Sequence, residues 1–177
     1  PKSPRYLCEM PDYMPANARR VGVFVNEDKQ TIEMFADRFS LDFIQLHGNE
    51  SPEYCRSLQL SGLKLIKAFP IASRKDLQNV HNYSNFCKYF LFDTKCEQRG
   101  GSGNQFDWSI LHIYKGRTPF ILSGGINPYS AKALKEFQHP LLVGYDLNSR
   151  FEVKPGKKDA QRIHLFLNEL RLSLIHI

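Results

Sequence analysis

Four places in this sequence gather the residue types needed for chemistry on a small anion. Asp93 closes a strongly apolar run, Tyr89 to Phe92, and is followed by Thr94 and Lys95. A carboxyl at the edge of an apolar interior is partly desolvated, which favours the neutral, proton-donating acid. A structural carboxylate paired with Lys95 is the other reading of the same residues. Ser123-Gly124-Gly125 closes a second run and leads into Ile126-Asn127-Pro128, where a helix is expected to begin. Glycines there let backbone N–H groups approach a phosphate closely, and a helix N-terminus adds a favourable dipole. A bare Gly-Gly also serves as a tight strand-to-helix turn. Asp146-Leu147-Asn148-Ser149 ends a third run, and Gln45 and His47 end a fourth.

The elements that must position these residues alternate in kind. Runs rich in Val, Ile, Leu and Phe at Val21–Val25, Phe43–His47, Leu63–Phe69, Tyr89–Lys95, Pro119–Gly125 and Leu141–Asn148 read as strands buried on both faces. Between them apolar residues recur at helical spacing: Ile32, Phe35 and Phe39; Tyr54 and Leu58; Leu77, Val80 and Tyr83; Trp108 and Leu111; Ala131, Leu134 and Phe137; and finally Ile163, Phe166 and Leu170. Ser51-Pro52 and Asn127-Pro128 have the form of an N-cap with proline at the first helical position. Pro11 to Arg20 reads as a further helix before the first strand.

Strict alternation demands a parallel sheet, either open and doubly wound or closed into an eight-stranded barrel. Six strands suit the open sheet, and the chain falls short of the roughly 200 residues or more of a barrel. The distribution of polar residues points the other way. Strand side chains alternate with period two, so Gln45 and His47 share a face, as do Leu91, Asp93 and Lys95, and Gly144, Asp146 and Asn148. Polar groups thus gather at several strand ends, whereas an open sheet concentrates them at one switch point.

Composition narrows the function classes. The 177 residues carry 24 Lys+Arg against 18 Asp+Glu, a net charge of +6, with 42% hydrophobic residues, which excludes a disordered or collagen-like chain. No apolar run approaches the roughly 18 residues of a membrane span. The positive charge fits a polyanionic partner or a small acidic substrate, and composition does not separate the two. Basic residues form no stripe interleaved with aromatics, which disfavours nucleic acid as the partner. Cys8, Cys55, Cys87 and Cys96 form no Cys-x-x-Cys pair. Neither a metal site nor a disulfide framework is expected, and a reducing cytoplasm is the simpler location. Gly100-Gly101-Ser102-Gly103 reads as a lid or a plain loop.

In order along the chain, Lys2-Ser3-Pro4-Arg5-Tyr6, Val21-Gly22-Val23-Phe24-Val25-Asn26, Gln45-Leu46-His47-Gly48, Asp93-Thr94-Lys95, Gly100-Gly101-Ser102-Gly103 with Phe106-Asp107-Trp108, Leu122-Ser123-Gly124-Gly125-Ile126 and Pro155-Gly156-Lys157-Lys158-Asp159 resemble phosphoribosylanthranilate isomerase. The resemblance implies a (β/α)8 TIM barrel and an Amadori rearrangement of N-(5-phosphoribosyl)anthranilate in tryptophan biosynthesis, without a cofactor. By position in the motifs it implies Asp93 as the catalytic acid. Arg5, Gln45, His47 and Asp146 would bind the substrate, and Gly124, Gly125, Asn148 and Ser149 its phosphate.

The chain departs from the family pattern at two points. Asp146-Leu147-Asn148-Ser149-Arg150-Phe151-Glu152 replaces the commoner Asp-Val-Ser-Ser-Gly-Val-Glu, and the family's Lys-Ile-Cys-Gly motif, which carries the basic cysteine, does not occur. The expectation is therefore a single, incomplete barrel domain over 1–171, lacking the first strand, first helix and most of the second strand, with poor turnover by these residues alone. Leu172–Ile177 (LSLIHI) matches a translated sequencing adapter and is expected to be a non-native tail. Another phosphosugar barrel such as indole-glycerol-phosphate synthase, a fusion with it, a homodimer, and a non-catalytic phosphate-binding α/β fragment are the alternatives.

Overall fold

The structure, a computed structural model, describes residues 17–94 and 108–171. Arg5, Lys95, the Gly100–Gly103 stretch, Cys8, Cys96 and the 172–177 tail lie outside the described residues.

Six strands form one parallel sheet: β1 (Val21–Phe24), β2 (Phe43–Leu46), β3 (Leu65–Ile71), β4 (Cys87–Thr94), β5 (Phe120–Ser123) and β6 (Leu142–Tyr145). They pair in sequence order, each with the next, and the order never reverses. A doubly wound sheet needs a reversal to create its switch point. An unreversed order with right-handed crossovers places every connection on one side, the arrangement of a (β/α)8 barrel.

Two layers of packing follow. On the outer face Phe90, Phe92, Phe120, Leu46 and Leu65 are fully buried beneath the helices, which contribute Ile32, Leu58, Leu134 and Phe166. The Phe92 and Phe120 rings lie 4.8 Å apart. On the inner face Ile66, Ala68 and Leu91 form a smaller cluster against Phe43, Tyr89 and Ile121. The inner layer thins toward β1, where Val21 and Val23 are 41% and 59% exposed. The expectation of six strands buried on both faces therefore fails at β1 and at β6, where Val143 is 55% exposed, the two strands with a strand neighbour on one side only among the described residues.

Local signals account for the helices that form. Asp28 caps α1 (Lys29–Arg38), accepting from the Thr31 N–H at 2.9 Å and its hydroxyl at 2.7 Å. Ser51 caps α2 (Pro52–Leu60), accepting from the Tyr54 N–H at 3.2 Å, with Pro52 where a missing N–H costs nothing. Asn127-Pro128 does not repeat the device. Asn127 to Ser130 form a turn closed by the Tyr129 N–H on Asn127 Oδ1 at 2.9 Å, and α3 (Ala131–Glu136) starts after it. The Leu77–Val80–Tyr83 and Trp108–Leu111 segments are 3-10 turns rather than α-helices. Apolar residues three apart satisfy a three-residue repeat as well as a 3.6-residue one. Of the helix expected over Pro11 to Arg20, the described residues 17–20 form a turn and irregular chain.

After β6 a hairpin absent from the sequence reading joins β7 (Glu152–Lys154) to β8 (Lys157–Lys158) through Pro155-Gly156. Gly156 supplies the φ of +81° that a proline-led turn requires at its second corner. The final helix α4 (Ala160–Arg171) seats Phe166 against Phe151 at 4.9 Å between ring centroids.

Candidate functional site

The residues singled out for chemistry stand at the carboxyl ends of the strands, and register decides which of them meet. Asp93 on β4 is the register partner of Ser123 on β5, so the carboxylate and the start of the glycine pair are side by side. Ser123 Oγ donates to Asp146 Oδ2 at 2.9 Å, and the Asp146 N–H reaches the Leu122 carbonyl at 2.8 Å, tying the chain beyond β6 to the same mouth.

From the other side, His47 Nε2 lies 3.6 Å from Asp93 Oδ2. The Gln45 side-chain amide meets His47 Nδ1 at 3.0 Å. With that amide donating to Nδ1, the neutral imidazole carries its proton on Nε2, the atom that faces the carboxylate. Asp93 is 30% exposed and His47 36%, so the carboxylate is wetter than a barrel edge suggested from sequence. Its described ionic partner is His47.

Gly124 and Gly125 both have positive φ, +84° and +68°. A Cβ on Gly124 would lie 2.0 Å from the Thr94 carbonyl oxygen, next to Asp93, whereas a Cβ on Gly125 would meet no atom within 4 Å. Gly124 is thus glycine because two backbones touch, and Gly125 presents its backbone to open space. Thr94 Oγ1 seals the contact, donating to the carbonyls of Ser123 at 2.8 Å and Gly124 at 3.1 Å.

Asn148 and Ser149 are exposed at the head of the 3-10 turn Ser149–Phe151 that follows β6. Lys158 Nζ donates to Asn148 Oδ1 at 3.0 Å and to Glu152 Oε1 at 2.9 Å, which commits the Asn148 oxygen and leaves its NH2 group as the available donor. Arg150, considered from sequence as an added charge, is exposed, and its carbonyl accepts from Arg162 at 3.1 Å.

Sequence reasoning missed the groups that fix this mouth from beneath. Glu50 and Lys67 form an ion pair at 3.2 Å with side chains only 2% and 3% exposed. A lysine inside the apolar run Leu65 to Phe69 was the available signal, because a buried cation needs a partner. Ser123 and Thr94 were noticed only as neighbours of the glycines and of Asp93.

Comparison with known proteins gives this geometry its context. The family model described as N-(5'phosphoribosyl)anthranilate (PRA) isomerase matches residues 10–169. The chain is 49% identical over 174 residues to N-(5'-phosphoribosyl)anthranilate isomerase of Phocaeicola vulgatus, covering 98% of this chain and 85% of that protein. It is 52% identical over 152 residues to the enzyme of the same name from Parabacteroides distasonis, covering 86% and 69%. Among solved structures, phosphoribosyl anthranilate isomerase from Thermotoga maritima superposes with a TM-score of 0.75 at 36% identity, over 89% of this chain and 75% of that one. A phosphoribosyl anthranilate isomerase bound to reduced 1-(o-carboxyphenylamino)-1-deoxyribulose 5-phosphate gives 0.74 at 33% identity, over 89% and 74%. Strand order, strand-end polar groups and these relatives agree: the chain belongs to the N-(5'-phosphoribosyl)anthranilate isomerase family.

Proposed function

We propose that the mouth formed by the ends of β2, β4, β5 and β6 carries out the Amadori rearrangement of N-(5-phosphoribosyl)anthranilate, with Asp93 as the acid. Asp93 protonates the furanose ring oxygen, the C1–O bond breaks and the sugar opens to a Schiff base. Loss of the C2 proton then gives the enolamine, which tautomerises to the ketose. Removal of the C2 proton is assigned to no residue of this sequence. The observation that carries the reading is the pairing of Asp93 with Ser123 on adjacent strands, which sets the acid beside the Gly124–Gly125 backbone.

In this reading Gly125 takes the substrate phosphate on its open backbone, Gly124 allows the loop to lie against β4, and Asn148 and Ser149 supply the facing donors. Asp146, fixed by Ser123, holds a sugar hydroxyl. Gln45 and His47 line the wall nearest Asp93, and Arg5 pairs with the anthranilate carboxylate, for which a guanidinium fork is suited. Among the described residues no helix is long and apolar enough to cross a membrane. We place the activity in the cytoplasm, where the free thiols of Cys55 and Cys87 are the expected state. A homodimer is proposed on the precedent of the Thermotoga maritima enzyme, which is described as dimeric.

The test is turnover of N-(5-phosphoribosyl)anthranilate by the protein expressed from its whole gene. Asp93→Asn should lower kcat by about 10²–10⁴ with little change in KM, the range for a lost acid. Arg5→Ala should mainly raise KM. Wild-type turnover by Asp93→Asn would remove Asp93 from the mechanism.

A further inference from the structure

The Glu50–Lys67 pair is buried, sits below the mouth and has no part in the reaction as described. Its hydrogen bonds converge on one short piece of chain. Lys67 Nζ donates to the carbonyl of Leu46 at 3.2 Å, to that of Gly48 at 2.9 Å and to that of Ala68 at 2.8 Å. Glu50 accepts the Gly48 N–H on both oxygens, at 3.1 and 3.0 Å, and the Asn26 N–H at 2.8 Å. The residue between Leu46 and Gly48 is His47, whose own N–H reaches the Phe24 carbonyl at 2.8 Å. Backbone groups on both sides of His47 are therefore held by one ion pair, which also ties the ends of β1 and β2 to the interior of β3.

The local chain leaves little slack. A Cβ on Gly48 would lie 2.3 Å from Asn26 Oδ1 and 2.7 Å from Glu50 Oε1. Asn26 Oδ1 in turn accepts the Asn49 N–H at 2.7 Å, and Asn26 adopts a left-handed φ of 51°. A buried ion pair is seldom more stabilising than apolar residues of the same volume, because desolvating both charges offsets their attraction. What it supplies instead is direction: an ammonium aimed at three backbone carbonyls and a carboxylate aimed at two backbone N–H groups.

We propose that Glu50 and Lys67 are positioning residues that fix the Leu46–Gly48 backbone so that the His47 imidazole faces Asp93. The inference rests on the isomerase reading for its effect on turnover. The placement of the imidazole can be read without substrate.

The experiment compares wild type with Glu50→Gln, with the charge-neutral double variant Glu50→Gln/Lys67→Met, and with Leu58→Ala. Leu58 is a buried α2 residue of the outer layer, and its truncation destabilises without removing a hydrogen bond to the 46–48 backbone. Nitrogen-15 spectra of histidine-labelled protein report the tautomer and hydrogen bonding of each imidazole. In wild type, His47 should show a protonated Nε2 and an accepting Nδ1. In Glu50→Gln and in the double variant its signals should move toward the averaged values of a free imidazole, while Leu58→Ala keeps the wild-type pattern. In the whole-gene enzyme the same two variants should lose between about tenfold and a hundredfold in kcat/KM at temperatures where all are folded, the scale of a sub-ångström to 1 Å misplacement. If Glu50→Gln fails to fold, the double variant decides, since it leaves no unpaired buried charge. A wild-type His47 spectrum in the double variant would overturn the proposal whatever the kinetics. Absence of turnover in the wild-type enzyme would instead count against the isomerase reading and leave the spectral result standing.

Discussion

His47 and Asp93 meet at 3.6 Å although their strands are not neighbours: β3 runs between β2 and β4. On the inner face of β3 Pro70 is the register partner of Asp93, and Ala68, one step beyond the Leu46–Lys67 partners, is level with His47. A methyl group is small enough for two side chains to reach across. Ala68→Leu should therefore separate the imidazole from the carboxylate and overpack the inner cluster, at about 1–3 kcal/mol. Urea denaturation gives the stability change, and the nitrogen-15 spectrum of His47 gives the separation. An unaltered His47 signal would mean that Ala68 does not govern the contact.

The two glycines of the β5 loop should respond differently to the same substitution. Gly125→Ala meets open space and suffers only the left-handed backbone, about 1–2 kcal/mol. Gly124→Ala carries that penalty too and drives a methyl into the Thr94 backbone, so its loss should be clearly larger and should disturb Asp93. Equal urea midpoints for the two variants would contradict the backbone contact.

Three aspartates should make the fold acid-sensitive. The backbone N–H of Arg20, aided by the Arg19 guanidinium at 3.1 Å, holds the Asp42 carboxyl below the ordinary aspartate range. The Thr31 N–H and hydroxyl do the same for Asp28. At Asp76 burial pushes upward, but the N–H groups of Ala72 and Ser73 and the Ser73 hydroxyl together outweigh it. A depressed folded-state value means that the unfolded chain binds protons first. The contribution is thus complete above about pH 4, the unfolded aspartate value, and is lost as the pH falls through the lower folded values. Asp42→Asn should flatten the fall in urea midpoint below about pH 4. An unchanged acid limb in that variant would remove Asp42 from the balance.

Cys55 on α2 and Cys87 at the start of β4 are free thiols buried in the outer core layer. Donation to the Cys55 sulfur, followed by burial, pushes the Cys87 thiol well above the ordinary cysteine range, so it stays protonated and unreactive. In a Cys8→Ser/Cys96→Ser background, a thiol reagent should label Cys55 and Cys87 at the rate of global unfolding. Labelling within seconds under native conditions would show that this layer opens locally.

How much of this was legible beforehand follows from range. The six strands and helices α1 and α2 were readable because their signals are local: apolar periodicity, an Asp or Ser at the N-cap, a proline at the first turn. The Leu77–Val80–Tyr83 segment misled because three-residue spacing does not distinguish a 3-10 turn from an α-helix. Val21 and Val23 misled because apolar character in a strand does not say whether a neighbour covers it.

Asp93, His47 and the Gly124–Gly125 pair could be nominated from the sequence because each ends an apolar run with a residue type suited to proton transfer or anion contact. Their mutual geometry could not. Which side chains meet depends on strand order and register, which are set by packing among residues far apart in the chain. The imidazole facing Asp93 across β3, Ser123 holding Asp146, and Glu50 bound to Lys67 beneath the mouth are long-range choices of this kind. The sequence by itself determined the alternation of elements and the chemical inventory at the strand ends. Only the tertiary structure decided which members of that inventory share a site, because a hydrogen bond depends on distance and direction, and neither is encoded within one strand.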